Sequence, residues 1–274
     1  MLDCSRNAVM NIDALKRFIS CLEKMGYNTL EIYSEDIYEI ENEEYFGYLR
    51  GKYSVKEIKE IDAFAKEHHV ELIPCIQTLA HFTNTCRLPR YADLWDCNDI
   101  LLIGEEKTYE FIENIFKTIS KAFSSREVNI GMDEAHMIGL GKYLEKNGYH
   151  DPSETLLYHL KRVVEIAKKY GFKPHMWSDM FFRLANKGEY YCKNVDIPRN
   201  VVESVPDGLG LVYWDYYQHD DKQIYDGMMS TLKKFGKETW FAGGAWTWNG
   251  FAPFNAYSIN MMKDALKASK RNAF

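Results

Sequence analysis

The chain has 274 residues, 46% of them apolar, and a formal net charge of −6 at neutral pH, which suits one large globular domain of the size of an α/β barrel. This acidic balance provides no basic field for phosphate backbones or anionic lipid, so nucleic acid and membrane surfaces are not expected partners. Aromatic residues make up 15% of the chain and concentrate near predicted strand ends, where their faces can pack in a core or stack on a ligand.

Strand-like and helix-like segments alternate along the chain. The opening segment MLDCSRNAV contains the first predicted strand, and an amphipathic helix follows over 11–25. A second helix starts at Ser54, which has capping-box spacing with Glu57, and runs to about residue 69. The other predicted strands cover 29–33, 70–77, 127–132, 173–177, 209–214 and 239–244, and the other predicted helices cover 105–123, 138–147, 153–170, 220–235 and 255–270.

Seven strands with helical crossovers indicate parallel βαβ units, which occur in doubly wound sheets and in barrels. A barrel gathers all its strand ends around one mouth, whereas a doubly wound sheet gathers only those beside its switch point. Polar and aromatic residues follow nearly every predicted strand, which favours the barrel: Arg6, Asp36, His81, Asp133, Glu134, Trp177, Asp179, Tyr213, Asp215, Trp246 and Trp248. Neither GxGxxG after the first strand nor GxxxxGK[ST] is present, so nucleotide-binding folds lose support. We predict an α/β fold, a TIM (β/α)₈-type barrel with seven βα units visible.

A closed barrel needs eight strands, and no eighth strand is apparent after the helix predicted over 255–270. We therefore expect residues 1–274 to form one barrel domain and to be a fragment of a longer protein. The six cysteines are scattered without a CxxC pair, which suits reduced thiols and a cytoplasmic location. No export signal opens the chain, although one could lie outside it, and no apolar run approaches the roughly 20 residues needed to span a bilayer.

The stretch VNIGMDEA ends a predicted buried strand in two adjacent carboxylates, Asp133 and Glu134. Because side chains alternate between the faces of a strand, both can enter one pocket only if the backbone bends there. Adjacent carboxylates in a cavity raise each other's pKa, so one of them can remain protonated as a general acid. The alternative is a solvated helix N-terminus, where acidic residues oppose the helix dipole. The residues alone leave both interpretations open.

Other strand-end residues also allow two interpretations. His81 is either a hydrogen-bonded structural histidine or a group that sets the charge of nearby carboxylates. Trp177, Trp246 and Trp248 are either core residues or part of a wall that stacks on a sugar ring. Arg6 is either an ion-pair partner or a donor to adjacent hydroxyls. The metal-binding spacings HExxH and HxxEH are absent, so no metal and no cofactor are expected.

Seven stretches together resemble the catalytic barrel of glycoside hydrolase family 20, the β-N-acetylhexosaminidases. In order, and over almost the whole chain, they are MLDCSR, YSEDIYEI, ELIPCIQTLAH, NIGMDEA, HMWSD, VYWDYY and GGAWTW. The most specific is GMDEA, which matches the Gly-x-Asp-Glu signature of the family. The resemblance implies an exo-acting enzyme that removes terminal β-linked GlcNAc or GalNAc, with the substrate's own 2-acetamido oxygen as the nucleophile and net retention.

The resemblance also implies a role for each matching residue. The catalytic set is Asp133 on the acetamido nitrogen, Glu134 as general acid/base, Tyr213 on the acetamido oxygen and His81 as support for the acid. The substrate-binding set is Arg6 on O3 and O4, Asp36 or less favourably Glu35 after strand two, Asp215 on a sugar hydroxyl, Trp177 and Trp246 as walls of the acetamido pocket, and Trp248. The implied partner is a glycan with a terminal N-acetylhexosamine.

Two departures from the family pattern are visible. Many members have Trp-x-Glu on strand seven, but here Trp248 takes the place of that sugar-binding carboxylate. The usual Asp-x-Pro-Gly-His after strand three appears as Gln77-Thr-Leu-Ala-His81, which suggests a divergent branch. A non-catalytic carbohydrate-binding barrel that keeps the aromatic wall is the alternative function, and glycan binding without turnover would identify it. An unrelated barrel lyase or aldolase would require a lysine at a strand end, and no good candidate is present.

Overall fold

The computed structural model describes residues 1–6, 9–218, 223–248 and 250–274. Within them, the chain forms two compact units, Met1–Pro174 and His175–Phe274. The strands of each unit are parallel and follow one another in chain order. This is the arrangement that repeated right-handed crossovers produce.

The first unit contains the strands β1 (Leu2–Asp3), β2 (Thr29–Tyr33), β3 (Glu71–Cys75) and β4 (Glu127–Asn129). Its helices are α1 (Ile12–Lys24), α2 (Val55–Glu67), α3 (Thr83–Cys86), a 3₁₀ helix (Pro89–Leu94), α4 (Glu106–Ala122), α5 (Lys142–Asn147) and α6 (Pro152–Lys169). Tyr33 pairs with Cys75, and Cys75 pairs with Asn129. This register brings the carboxyl ends of β2, β3 and β4 to the same edge of the sheet, where the predicted site residues follow.

The sheet of the second unit consists of β5 (Lys173–Trp177), which begins at the end of the first unit, β6 (Gly210–Trp214) and β7 (Thr239–Ala242). Its helices are α7 (Asp179–Ala185), α8 (Arg199–Ser204), α9 (Gln223–Lys233) and α10 (Asn255–Asn272). All five residues of β6 are buried, as expected for a parallel strand that is covered on both faces. Trp177 pairs with Val212 and Tyr213 with Phe241, which aligns the carboxyl ends of these strands.

Local sequence signals explain where several helices begin and end. The capping box predicted before α2 is confirmed: Ser54 Oγ accepts from Glu57 N (3.2 Å), and Glu57 Oε2 accepts from Ser54 N (2.8 Å). Gly26 follows α1 with a φ of 83°, the left-handed conformation that ends many helices. The carboxylate of Asp151 accepts from Ser153 N (2.8 Å) at the start of α6.

The structure departs from the predicted elements at several points. The strand predicted over 127–132 ends at Asn129, because Gly131 and Met132 have φ of 73° and 70°, which no strand accommodates. The segment 138–141 forms turns rather than helix. Residues 220–222 of the predicted helix 220–235 lie outside the described residues. The 3₁₀ helix and α3, α7 and α8 were not predicted, because elements of four to seven residues show no clear period.

In the core of the first unit, α2 packs on β3 and on α4, and α4 packs on α6. Ile112 and Phe116 of α4 and Leu160 and Val163 of α6 are fully buried. Burial of each such side chain stabilises the fold by about 1.5–3 kcal/mol, so this layer fixes the strands that carry the site. Across the described residues, none of the helices combines the length and the apolar character needed to cross a membrane.

Candidate active site

The chain turns sharply after β4, just at the acid pair. Gly131, Met132 and Glu134 have φ of 73°, 70° and 55°, a left-handed conformation that residues with side chains seldom adopt. Gly131 N donates to the Asn129 side chain (3.0 Å), which closes the turn. As a result, the adjacent carboxylates of Asp133 and Glu134 both approach one histidine. The bend that the sequence required for a shared pocket is confirmed.

His81 is the residue on which the carboxylates converge. Its Nε2 lies 3.1 Å from Asp133 Oδ2 and 3.9 Å from Glu134 Oε2. Its Nδ1 lies 3.7 Å from Oε1 of Glu35, which is two residues beyond the end of β2. The His81 side chain is only 15% exposed, and its backbone takes a φ of 65°. The structure therefore brings His81 and the acid pair together, and it adds Glu35 to them.

These charges decide the protonation state of His81. Burial alone disfavours the imidazolium, but the hydrogen bond to Asp133 and the charges of Asp133, Glu35 and Glu134 outweigh it and raise the pKa of His81 to about 9. Burial also works to raise the pKa of Asp133, yet the hydrogen bonds from His81 and Gln77 and the charge of His81 lower it overall. At neutral pH the pair is therefore an imidazolium beside a carboxylate.

Gln77 holds the other oxygen of Asp133 and was not among the predicted site residues. It follows β3 and is fully buried. Its Nε2 donates to Asp133 Oδ1 (2.9 Å) and to the Tyr33 hydroxyl (3.1 Å), and its Oε1 accepts from Met132 N (3.3 Å). A glutamine after a strand carries no catalytic signal by itself. The sequence signal that could have found it is its place in Gln77-Thr-Leu-Ala-His81, where the family motif has aspartate.

Arg6 and Glu35 form a second charged pair in the first unit. Arg6 Nη1 donates to Glu35 Oε1 (2.5 Å), and the Tyr33 hydroxyl donates to the same oxygen (3.3 Å). Burial raises the pKa of Glu35, although the charges of Arg6 and His81 oppose this effect. The Arg6 side chain is 62% exposed, so its remaining donors are accessible. The pair lines an open pocket of about 310 Å³ together with Ser5, Arg50, His81, Thr83 and Asn84.

Asp36, the residue predicted after strand two, is buried in a different environment. Its Oδ1 accepts from Arg50 Nε (3.2 Å), and Arg50 Nη2 also donates to the Ser5 carbonyl. Gly47 packs against the backbone here, since a Cβ on it would lie 2.1 Å from the Asp36 carbonyl oxygen. The carboxylate that contacts Arg6 is therefore Glu35, which the sequence ranked second. A substrate-binding role for Asp36 stays a prediction.

In the second unit, Tyr213 of β6 and Asp215, which directly follows the strand, form a buried pair. The Tyr213 hydroxyl donates to Asp215 Oδ2. Asp215 Oδ1 accepts from Tyr217 N (3.0 Å) and from Gln218 Nε2 (3.3 Å). Burial raises the pKa of Asp215 to about 6, although these hydrogen bonds oppose it. Burial also raises the pKa of Tyr213, so the phenol remains protonated and available as a donor.

The predicted aromatic residues of the second unit have different environments. Trp246 is buried, with its ring centroid 5.2 Å from those of Trp248 and Tyr217, and its Nε1 donates to the Tyr216 carbonyl (3.0 Å). Trp248 is 47% exposed. Trp177 is buried, and its Nε1 has no hydrogen-bond partner among the described residues. Trp246 and Trp248 thus belong to one aromatic cluster that presents an exposed indole.

His81, Asp133 and Glu134 each offer a ligand atom, and these atoms lie within 4.8 Å of one another. An imidazole that binds a metal must be neutral. The pKa of about 9 keeps His81 protonated at neutral pH, and its Nε2–H donates to Asp133. A metal cation could therefore bind His81 only by displacing a proton. The expectation that the protein uses no metal or cofactor stays a prediction.

Comparison with known proteins gives a consistent family assignment. The family profile described as glycosyl hydrolase family 20, catalytic domain, matches residues 1–202. Hexosaminidase D of Bos taurus is 24% identical over 271 residues, which cover 94% of this chain and 72% of that protein. Hexosaminidase D of Homo sapiens is 24% identical over 224 residues, which cover 77% of this chain and 43% of that protein.

Solved structures match the same fold. The glycoside hydrolase family 20 exo-β-N-acetylglucosaminidase of Vibrio harveyi, in complex with N-acetylglucosamine, has a TM-score of 0.67 at 19% identity and covers 90% of this chain and 41% of that chain. The β-N-acetylhexosaminidase of Streptomyces coelicolor has a TM-score of 0.64 at 21% identity and covers 90% and 48%. The chain thus spans less than half of each. The predicted fold class, a (β/α)₈-type barrel with seven parallel strands in this chain, is confirmed.

Proposed function

Because the chain belongs to glycosyl hydrolase family 20, we propose that it is an exo-acting β-N-acetylhexosaminidase that removes terminal β-linked GlcNAc or GalNAc. The predicted family and the predicted enzyme class, a glycoside hydrolase, are confirmed by the match over residues 1–202. The observation that carries the proposed activity is the convergence of Asp133 and Glu134 on His81 at a left-handed turn.

In the proposed reaction, the 2-acetamido oxygen of the substrate attacks the anomeric carbon while Glu134 protonates the glycosidic oxygen. The bond from the anomeric carbon to the leaving oxygen breaks, and a cyclic oxazolinium forms. Glu134, now a carboxylate, takes a proton from water, and the hydroxide adds to the anomeric carbon and reopens the ring. Two displacements give net retention.

Asp133 is suited to the acetamido nitrogen because it is an oriented anion. Its pKa is lowered by hydrogen bonds from His81 and Gln77 and by the charge of His81, against the effect of burial. A carboxylate has about four acceptor sites, and His81 and Gln77 use one on each oxygen. The remaining sites can accept the acetamido N–H and stabilise the positive charge that develops there.

Glu134 is suited to proton transfer because it is the more accessible member of the pair. Its side chain is 40% exposed, against 13% for Asp133, so a leaving group and a water molecule can reach it. The imidazolium of His81 lies 3.9 Å from Glu134 Oε2. It therefore stabilises the carboxylate that remains after Glu134 has given up its proton.

We assign substrate binding in the first unit to Arg6 and Glu35. The exposed guanidinium of Arg6 supplies adjacent donors for O3 and O4, and Glu35 orients it through their ion pair. Glu35 is preferred over Asp36 because it contacts both Arg6 and His81. Asp36 is then a support for the loop that carries Arg50.

For the second unit we propose that Tyr213 donates to the acetamido oxygen and that Asp215 holds the tyrosine and a sugar hydroxyl. Their support is the buried hydrogen bond between them. Trp177 and Trp246 are proposed walls of the acetamido pocket, and the exposed indole of Trp248 is proposed to stack on the substrate. Trp248 cannot replace the hydrogen bonds of the carboxylate that many family members carry there.

Three broader assignments complete the proposal. We propose that residues 1–274 act as one catalytic barrel domain. The partner is a glycan with a terminal N-acetylhexosamine, and neither nucleic acid nor membrane is involved. The location is cytoplasmic, which is supported by six unpaired cysteines, two of them only partly buried and one exposed, since thiols persist in a reducing compartment.

The direct test is hydrolysis of aryl β-GlcNAc and β-GalNAc glycosides. Glu134→Gln and Asp133→Asn are each expected to lower kcat by about 10²- to 10⁴-fold. Glu106→Gln is the matched control, because the carboxylate of this exposed glutamate in α4 pairs with Arg162 of α6. A thiazoline mimic of the oxazolinium should inhibit the wild type. Full activity of Glu134→Gln would overturn the assignment, and glycan binding without turnover by the wild type would indicate a carbohydrate-binding protein instead.

A further inference from the structure

Asp133 has two supports of different chemical character. On one oxygen it receives the charged N–H of His81 (3.1 Å), and on the other it receives the neutral amide of Gln77 (2.9 Å). His81 can lose its proton, whereas an amide cannot. The proposed reaction uses His81 to support Glu134, but it leaves the complete burial of Gln77 between Asp133 and the strands unexplained.

Both the nitrogen and the oxygen of the Gln77 side-chain amide form hydrogen bonds with partners of the right kind. The two N–H groups of Nε2 face Asp133 Oδ1 and the Tyr33 hydroxyl, and Oε1 accepts from Met132 N. A flipped amide would place Oε1 against a carboxylate and N–H against N–H. The network therefore fixes the orientation of the amide, and Asp133 always meets a donor at this position.

The backbone is shaped around this amide. A Cβ on Gly131 would lie 2.1 Å from Gln77 Oε1 and 2.7 Å from the Ile76 carbonyl oxygen. Thr78 Oγ1 donates to the Ile130 carbonyl (2.7 Å). Residues 77 and 78, which follow β3, thus hydrogen-bond to the backbone on each side of Gly131 in the left-handed turn after β4. Of the two, Gln77 also contacts the carboxylate of Asp133.

Gln77 also joins Asp133 to the Arg6 side of the pocket. The Tyr33 hydroxyl, which accepts from Gln77, donates to Glu35 Oε1 (3.3 Å). Glu35 in turn lies 3.7 Å from His81 Nδ1. Two routes therefore link Asp133 and Glu35, one through His81 and one through Gln77 and Tyr33. A change in the charge of His81 leaves the second route in place.

From these contacts we propose that Gln77 is a positioning residue, which holds the carboxylate of Asp133 in the orientation that receives the acetamido N–H of the substrate. The inference rests on the proposed function and adds to it a residue that the sequence patterns did not assign. Its hydrogen bond also contributes to the low pKa of Asp133. The expected signature is a loss in kcat rather than in substrate affinity, because the acetamido charge develops in the transition state.

Two variants test the proposal. Gln77→Ala removes the donor and is expected to lower kcat by about 10- to 100-fold with a smaller change in KM. Gln77→Glu keeps the shape but places a carboxylate beside Asp133, so the acid limb of the pH profile of kcat/KM should move to higher pH. The matched control is Asn114→Ala, which removes an amide donor (3.3 Å) from the buried carboxylate of Glu43, outside the site. That variant should lose stability but keep the wild-type pH profile.

Unchanged kcat in Gln77→Ala together with an unmoved acid limb in Gln77→Glu would overturn the proposal while the function of the wild type stands. If the wild type hydrolyses neither glycoside, the proposed function fails, and the crystal structure of Gln77→Ala decides the positioning role. A shift of the Asp133 carboxylate away from its wild-type rotamer would support the role, and an unmoved carboxylate would refute it.

Discussion

Raising the pH through the titration of His81 is expected to remove about 3 kcal/mol of folding stability. The pKa of this histidine rises from 6.5 to about 9 on folding, and the difference corresponds to this free energy. Because the folded pKa is the higher one, the contribution is fully present below about pH 6.5 and is lost as the pH rises towards 9. Asp133 shares the same interaction, so the energy is counted once. With a side chain only 15% exposed, His81 is little screened by solvent.

The measurement is urea unfolding of the wild type and of His81→Gln at several pH values between about 6 and 9. His81→Gln keeps a side-chain donor near Asp133 but cannot titrate in this range. Burial raises the pKa of thiols such as Cys4 and Cys86, so these thiols also make the protein less stable as the pH rises above 9. Both proteins contain them, and subtracting the stability of one protein from that of the other removes their contribution. Equal slopes of stability against pH in both proteins would refute the reasoning.

Three further outcomes follow from the structure. Gly131→Ala should lower stability by about 2 kcal/mol or more and reduce kcat, because the position has a φ of 73° and its Cβ would meet Gln77; wild-type behaviour would show that the turn is not constrained. Ser54→Ala should cost about 1 kcal/mol in chemical denaturation through the lost capping box and leave kcat unchanged. Glu35→Gln should raise KM more than Asp36→Asn does, and the reverse order would restore the sequence-based choice of Asp36.

Regular elements of the chain were predictable because their signals are local. TLEIY and KPHMW form strands with the predicted bounds, since β-branched and aromatic residues between helices favour buried strands. Ser54 and Glu57 mark the start of α2 through their own side chains. The order of the strands then brings the acid pair, His81 and Arg6 to one edge of the first unit. The seven short stretches that resemble the family contain these residues in chain order, so they identified the family without knowledge of the geometry.

The geometry of the site was not predictable because it depends on contacts between distant segments. Local propensity disfavours the left-handed backbone of Met132 and Glu134, and the hydrogen bonds of Gln77 with Met132 and Asp133 support it. Glu35 and Asp36 are neighbours in sequence, and the course of the backbone after β2 gives one to Arg6 and the other to Arg50. No periodicity distinguishes two carboxylates that leave a strand at adjacent positions.

The charges of the first unit change in step with the proposed reaction. With Glu134 protonated as the acid, the anions Glu35 and Asp133 balance the cations Arg6 and His81. The net charge of this group of five side chains is then zero when a neutral substrate binds. When Glu134 gives its proton to the leaving oxygen, the group becomes negative as the acetamido group becomes positive. The anionic partners are held in place before the reaction by His81 and Arg6, so no reorganisation is needed when the charge develops.

Loss of the proton of His81 leaves the group one charge more negative at the outset. The imidazolium then no longer faces Glu134. Because the folded pKa of His81 is about 9, kcat should stay constant from about pH 6.5 to 8 and fall as the pH rises through about 9, above most of the range in which the stability contribution of His81 is lost.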